Sequence, residues 1–536
     1  MDWLDRLLFP NNRTLQLVAI LSFSVAFSYL LTGNQISKAN WGVIDDHEVF
    51  SYLGPDLHLP AGKIWSTLIE KTEVGQLQGR FRPVFYLLKV SEASLFGPDV
   101  HLWYLVNTVC FAFFLASVWW TISRFVGVWL GGPIVAWIAL LPLWSDVWSR
   151  LGPSEIFGAA AVAAMILGAD LVFFSRWRLG PSAGAILLTV AAVALAGLKE
   201  TFLPLALFGP AFVFALARTY KRLSTILILL LTALVLTSIA SIAFMIVKEV
   251  RSMGGADYYG KSAGPSQTIL FAIVGTLEAL SLTWWLWVLP IVFFRLLKVL
   301  PNKPLTHWIT LSCGAFAIYL FFVAMYAAQC GVYRMLFPHN SRYDFPAMLL
   351  VPAVCCLILC ELSSKLRDHF PDRTIKYAQL AASVFWIFAL VTGNLKSPPA
   401  LAVAVKKNID STNTFFHEVE RVARAAQQAP VSPVVLDAHG PRAYEPVLSV
   451  MAYLRALGVH NAIAVRFTPE ENTKDNALYS GLERTLVDIE HAATNGFTPL
   501  TTALSDRSKG CLSVGLLGPP DNACTPFQIN LQISDK

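Results

Sequence analysis

Uninterrupted apolar stretches of about twenty residues recur along this chain, and no other feature restricts its fold as much. A run of that length is what an α-helix needs to cross a hydrocarbon core of roughly 30 Å. The first run covers 14–32; others follow at about 101–122, 125–144, 155–174, 182–198, 202–217, 223–247, 268–294, 306–328, 345–362 and 377–394. With 55% hydrophobic and only 14% charged residues in 536, and a mean hydropathy of +0.55, a soluble globule could not hide so much apolar surface. The expectation is a polytopic α-helical membrane protein with about 11 transmembrane helices.

Charge placement gives the orientation. Arg6 and Arg13 precede the first run, and the run ends in Leu-Thr-Gly-Asn rather than at a small-residue cleavage site, so a retained helix with a cytoplasmic N-terminus is expected. Arg124, then Arg176 and Arg178, then Arg218, Lys221 and Arg222, then Arg295, Lys298 and Lys303, then Lys365, Arg367, Arg373 and Lys376 all fall on that same side. This alternation also explains the formal charge of +6: the basic residues sit in short loops rather than on one surface, so no nucleic-acid partner is implied.

The opposite, external side receives the loop 33–100 and everything after the last run. Within the loop, 45–53 and 63–74 read as short helices, the second with Ile64, Trp65, Leu68 and Ile69 along one side, as in helices that lie in a membrane interface. The tail, 395–536, changes composition abruptly. Val434 to Ala438 reads as a strand, Ala443 to Gly458 as an amphipathic helix and Ala462 to Phe467 as a second strand, which predicts a small C-terminal external α/β domain. Six of the eight cysteines lie in or beside apolar runs; Cys511 and Cys524 flank a short loop of the tail and suit a disulfide if the tail is outside the cytoplasm.

Polar groups kept at the edge of membrane spans point to partners or a task. Five sets share the external side: Asp45-Asp46-His47-Glu48, Arg80 with Arg82, Ser145-Asp146 to Glu155, Lys199-Glu200, and Arg334 to Asp344. Asp45 or Asp46 can act as general base toward a hydroxyl, since burial near a second carboxylate raises one carboxyl into the working range. Adjacent helical residues point about 100° apart, so only one of them faces a given atom. The competing reading is that one aspartate caps a short helix, worth about 1 kcal/mol.

His47 and Glu48 suit hydrogen bonding to substrate, and no second histidine has the spacing of a metal site. Arg80 and Arg82 present planar donor forks for phosphate, or else snorkel to lipid headgroups. Lys199, wedged between two runs, offers a point charge for phosphate with Glu200 orienting it, or else the two form an ion pair closing a helical hairpin. His339, Arg342 and Tyr343 combine cation, imidazole and phenol just before the run at 345–362, a mixture suited to an anionic headgroup and a sugar.

These features together resemble the GT-C superfamily of integral-membrane glycosyltransferases, which includes protein mannosyltransferases and lipid A aminoarabinose transferases. The likeness covers roughly Leu15 to Asn394: a cytoplasmic N-terminus, the acidic pair Asp45-Asp46 in the first external loop, interfacial helices after it, Lys199-Glu200 at a span edge, many spans and an external C-terminal part. It implies a catalytic membrane domain over 1–394 and an enzyme, multi-pass in a bacterial inner membrane, that moves a sugar from a polyprenyl-phosphate donor to a glycan, lipid or protein acceptor with inversion. One of Asp45 and Asp46 would be the base, with a slight preference for Asp45, and Lys199, Arg342, Arg80 and Arg82 would hold the leaving phosphate. No cofactor is implied, a divalent cation being left open. No Trp-Trp-Asp signature is present, since Trp284-Trp285 continues into Leu-Trp, which argues against transfer of a whole oligosaccharide to asparagine.

Three other classes compete. An O-antigen polymerase or ligase works on the same kind of donor but carries its arginines in a large late external loop, and 329–344 is short. A flippase or transporter is expected to show repeat symmetry or paired broken helices, and neither is visible. A membrane scaffold with a sensing domain is the third.

Overall fold

The computed structural model describes residues 13–43, 46–53, 56–76, 81–252, 265–284, 305–333, 342–354, 371–396, 398–428, 430, 434–439, 444–461, 463–468 and 512–513. Among these, six helices are long and apolar enough to cross a membrane: α1 (Arg13–Lys38), α6 (Val100–Val126), α9 (Glu155–Phe174), α11 (Leu203–Thr219, with the 3-10 turn Glu200–Phe202 ahead of it), α12 (Thr225–Ser252) and α14 (Leu305–Tyr333). Shorter apolar helices α7 (Val128–Ala139), α10 (Gly180–Ala196) and α13 (Pro265–Leu282) stand beside them. The chain is a multi-pass membrane protein. α15 (Asp372–Lys396) occupies the last expected run, and only the first part of the run at 345–362 is described. The run expected at 125–144 is broken: α7 ends at Ala139, and a short helix α8 (Trp144–Trp148) follows a turn.

The distribution of side chains is that of a bundle in lipid. On α1, Ser24, Ser28 and Thr32 recur every four residues and are buried, while Leu21, Val25, Tyr29 and Leu30 face out. The Thr32 hydroxyl donates to the Ser28 carbonyl at 2.8 Å and meets the Thr108 hydroxyl on α6 at 3.0 Å. Small polar residues between helices and large apolar ones outside are what a lipid solvent selects, since apolar burial gives no drive for helix association there. α9 and α10 show the same logic. A Cβ on Gly168 would come within 2.7 Å of the Gly184 carbonyl, and one on Gly184 within 2.5 Å of the Gly168 carbonyl, so both positions require glycine for the backbones to touch.

The two ends of the bundle differ. At one end Arg124 pairs with Asp170, beside the Trp120 indole, and Arg222 donates to the carbonyls of Val172 and Phe173. Of the residues expected on the basic side, Arg124 and Arg222 are thus both joined to the C-terminal part of α9. The opposite end gathers the long loop that follows α1. There α2 (His47–Tyr52), α3 (Ile64–Lys71), α4 (Glu73–Gln76) and α5 (Pro83–Phe96) follow α1, and Leu68 is buried while Trp65 and Ile69 stay exposed.

The tail returns onto that end. α16 (Ala400–Gln428) buries Leu401, Val405, Thr412, Phe415, Val419, Val422 and Ala426, a stripe of helical period, against α1 and α8. Strand β1 (Val434–His439), helix α17 (Tyr444–Ala456) and strand β2 (Ile463–Thr468) follow in the expected order. The strands are parallel, with Val434 opposite Ile463 and His439 opposite Thr468, and β3 (Leu512–Ser513) pairs with the other edge of β1. Cys511 and Cys524 lie outside the described residues.

Candidate functional site

Asp46 is 5% exposed and sits at the position preceding α2. Its side chain does not cap that helix. Instead Oδ2 accepts the Gly42 N–H at 2.6 Å, folding the carboxylate back over the loop that leaves α1. The capping alternative is thus not what the carboxylate does. The approach is close: a Cβ on Gly42 would lie 2.9 Å from Oδ2.

Residues distant in sequence hold that loop. The Asn40 N–H donates to the Thr412 hydroxyl at 3.2 Å, and the Asn40 amide donates to Asn413 at 2.8 Å. The Tyr453 hydroxyl donates to the Gly42 carbonyl at 3.0 Å, and the Ser449 hydroxyl donates to the Val43 carbonyl. Phe50 of α2 packs edge-on against Tyr453 with centroids 4.7 Å apart. The acidic loop is therefore clamped by α16 and α17 of the tail. Burial first, and then the Asp46 carboxylate, push the Tyr453 phenol well above its ordinary range, which keeps it a neutral donor.

Asp46 opens on a cavity of about 500 Å³ bounded by the acidic loop, by α8 through Ser145, Asp146, Ser149 and Arg150, and by α16 through Ala404, Lys407, Asn408, Ser411 and Thr412. From Asp146 a line of charges leads away. Arg150 NH1 lies 3.3 Å from its Oδ1, and Arg342 Nε lies 3.7 Å from its Oδ2. Arg342 also donates to the Tyr343 hydroxyl at 3.2 Å, and the Lys199 ammonium sits 4.6 Å above the Tyr343 ring. Lys199 in turn is bound at 2.5 Å by Glu155 at the start of α9. Beside it the Arg82 fork grips Glu200 through two bonds, of 3.0 and 2.7 Å.

Burial lowers the Lys199 ammonium below the usual lysine range; Glu155 and Glu200 oppose this, while Arg82 and Arg342 add to it. Four charges from separate parts of the chain therefore act on Lys199. Aromatic packing fixes the framework: Trp144 against Phe345, Phe345 against Phe202, and Phe111 stacked on Trp148.

Of the residues singled out from sequence, Asp46, Lys199, Arg342, Tyr343, Arg82 and Glu200 lie along this line. His47 and Glu48 form the first turn of α2, and Asp45, Arg80 and His339 lie outside the described residues. One pairing differs from expectation. Glu200 does not orient its neighbour Lys199; Glu200 takes Arg82 and Lys199 takes Glu155. Lys199 is extended (φ −163°, ψ 143°), and successive side chains of extended backbone point to opposite sides. Sequence reasoning missed Asp146, Arg150 and Glu155 as individual site residues and the whole cavity face of α16. The buried stripe of α16 was the available signal, but its charged face reads as a solvated tail.

No protein-family model matches the chain, and no curated protein matches it in sequence. Among solved structures, a crystal structure described as ArnT from Cupriavidus metallidurans in the apo state is similar to it at 10% identity and a TM-score of 0.45, over 91% of this chain and 90% of that one. A likeness that loose assigns neither fold nor activity, and the chemistry has to be read from the side chains.

Proposed function

We propose that this protein is a membrane glycosyltransferase of the GT-C type, which moves a sugar from a polyprenyl-phosphate donor to an acceptor hydroxyl on the external face. The observation that carries this reading is a buried carboxylate, Asp46, that opens on a small-molecule-sized cavity joined through Asp146 to a line of cations. Arg150 and Arg342 reach Asp146, Lys199 is bound by Glu155 and Arg82 by Glu200, and Lys407 lines the cavity.

In this mechanism the acceptor hydroxyl attacks the anomeric carbon in line, and the carbon–oxygen bond to the lipid phosphate breaks with its electron pair leaving on the phosphate. The hydroxyl proton passes to an aspartate, and configuration inverts. Asp46, which lines the cavity, or Asp45 is the base. The leaving phosphate gathers charge as the bond breaks, and fixed cations stabilise that charge most where water is excluded. Of these cations Arg342 stands next to the cavity, 3.7 Å from Asp146 of its wall, while Arg82 is paired with Glu200 and Lys199 with Glu155. Lys199 and Arg82 then act as the charged bed behind Arg342.

The test is transfer in membranes from cells lacking the gene, which hold the native donor and acceptor, after addition of the purified full-length protein. Asp46→Asn keeps the shape and an acceptor for the Gly42 N–H but removes the base, and should slow transfer by roughly 10²–10⁴-fold. Full activity of both Asp46→Asn and Asp45→Asn would overturn the mechanism.

A further inference from the structure

The cavity beside Asp46 has one wall that comes from neither the membrane helices nor the acidic loop. α16 supplies Ala404, Lys407, Asn408, Ser411 and Thr412 to it. Two of these are committed to holding the fold. The Asn408 amide donates to Gln35 at 3.2 Å and to the Tyr104 hydroxyl at 2.9 Å, and Thr412 accepts the Asn40 N–H. Lys407 and Ser411 are not used in this way: both are exposed, and the Ser411 hydroxyl reaches only the Asn408 carbonyl of its own turn, at 3.2 Å.

The composition of the lining limits what fits. Only Gly42, Val43 and Ala404 bring no polar side chain, and the remaining nine lining residues offer carboxylate, hydroxyl, amide, guanidinium and ammonium groups. These polar groups stand on several sides of the cavity and call for a ligand that can hydrogen-bond to them. A peptide strand takes its affinity from main-chain bonds to a sheet edge or from a long apolar groove, and none of the lining residues belongs to a strand. A compact polyol can instead satisfy donors and acceptors on several sides at once.

Resting on the glycosyltransferase reading, we propose that this cavity is the acceptor subsite, that it takes a carbohydrate head group, and that α16 reads that head group through Lys407 and Ser411. The reacting hydroxyl then lies against Asp46, where it loses its proton as its oxygen bonds to the anomeric carbon. The far side of the same sugar faces the tail. The tail is in this way part of the active site and sets acceptor choice.

The experiment uses the full-length protein and membranes holding the native donor, with free hexoses, pentoses and amino sugars at millimolar concentration as competing acceptors. A serine- or threonine-containing peptide and an asparagine-containing peptide serve as the contrasting probes. At least one saccharide is expected to compete with native transfer or to receive the sugar, and the peptides to do neither. Lys407→Ala, and Ser411→Trp, which fills the cavity, should each raise the apparent KM for that saccharide by tenfold or more, with less than a twofold change in donor KM. Lys406→Ala removes the same charge one residue away, outside the lining, and should change neither. Thermal midpoints equal to wild type check that the variants fold.

Transfer to a peptide with no saccharide competing would overturn the acceptor class. An unchanged saccharide KM in folded Lys407→Ala and Ser411→Trp would overturn the role of α16. If the wild type neither transfers sugar nor consumes donor, it is the glycosyltransferase reading that fails, so the two failures are separable.

Discussion

The Tyr453 hydroxyl and the Asp46 carboxylate hold the two sides of one residue, Gly42: the phenol donates to its carbonyl at 3.0 Å, and the carboxylate accepts its N–H at 2.6 Å. A residue more than 400 positions away thus shares a single peptide segment with the proposed base. Whatever moves the tail moves the carboxylate.

Gly42 is the weak point of that arrangement. An added Cβ would lie 2.9 Å from Asp46 Oδ2 and 3.7 Å from Thr412 Cγ2, with buried groups on both sides. Gly42→Ala is expected to cost about 1–3 kcal/mol through overpacking and to reduce transfer by at least tenfold. Thermal unfolding in detergent and the transfer assay check the two parts; wild-type activity would show that the Gly42 bond does not position Asp46.

Tyr453→Phe separates the hydrogen bond from the packing. At pH 8 the variant should be less stable by about 1 kcal/mol, since the Gly42 carbonyl loses its donor. The phenol is held above its ordinary value, so its contribution is fully present below about pH 10 and is lost as pH rises toward the folded value, because the unfolded chain releases the proton first. The gap between variant and wild type should therefore narrow above about pH 10. Unfolding midpoints of both proteins at pH 8 and at a pH above 10 measure this, and a constant gap would mean that Tyr453 does not titrate in the assumed direction.

The buried pair of Lys199 and Glu155 can be tested for a role beyond stability. Breaking it from one side, as in Glu155→Leu, takes a carboxylate partner away from a buried ammonium and should cost about 3–5 kcal/mol. Replacing both, Glu155→Leu with Lys199→Met, should recover most of that loss, because an apolar pair needs no compensation. If Lys199 also supports the leaving phosphate, the double variant regains its unfolding midpoint but not its activity. Recovery of both would reduce the pair to a structural tie.

Arg342 and Arg82 should differ. Arg342→Ala is expected to raise donor KM and lower kcat/KM at least tenfold while leaving acceptor KM within twofold, since it removes a cation from the proposed phosphate site. Arg82→Lys keeps the charge but forfeits the two-pronged grip on Glu200, so its effect should appear first as a lowered unfolding midpoint. Donor and acceptor titrations of both variants decide this; identical kinetic profiles would remove the distinction.

The sequence by itself determined the class of fold. Apolar runs of membrane length can only be satisfied as helices whose backbone bonds are internal, and basic loops mark which ends go together, as Arg124, Asp170 and Arg222 do. It also marked Asp46, Lys199, Arg82, Arg342 and Tyr343, because charge near lipid is too costly to be idle.

Only the tertiary structure decided how those charges pair. Glu200 and Lys199 are neighbours in the chain, yet an extended backbone sends them to different partners, and Glu155 reaches Lys199 from 44 positions away. Nor could the sequence show that α16 and α17 fold back over the acidic loop. Their apolar stripe and polar face are what any amphipathic helix needs, and such a pattern specifies that a face is buried without specifying against what. That choice of partner is made by three-dimensional complementarity, and it is what turns a tail of changed composition into one wall of the cavity beside Asp46.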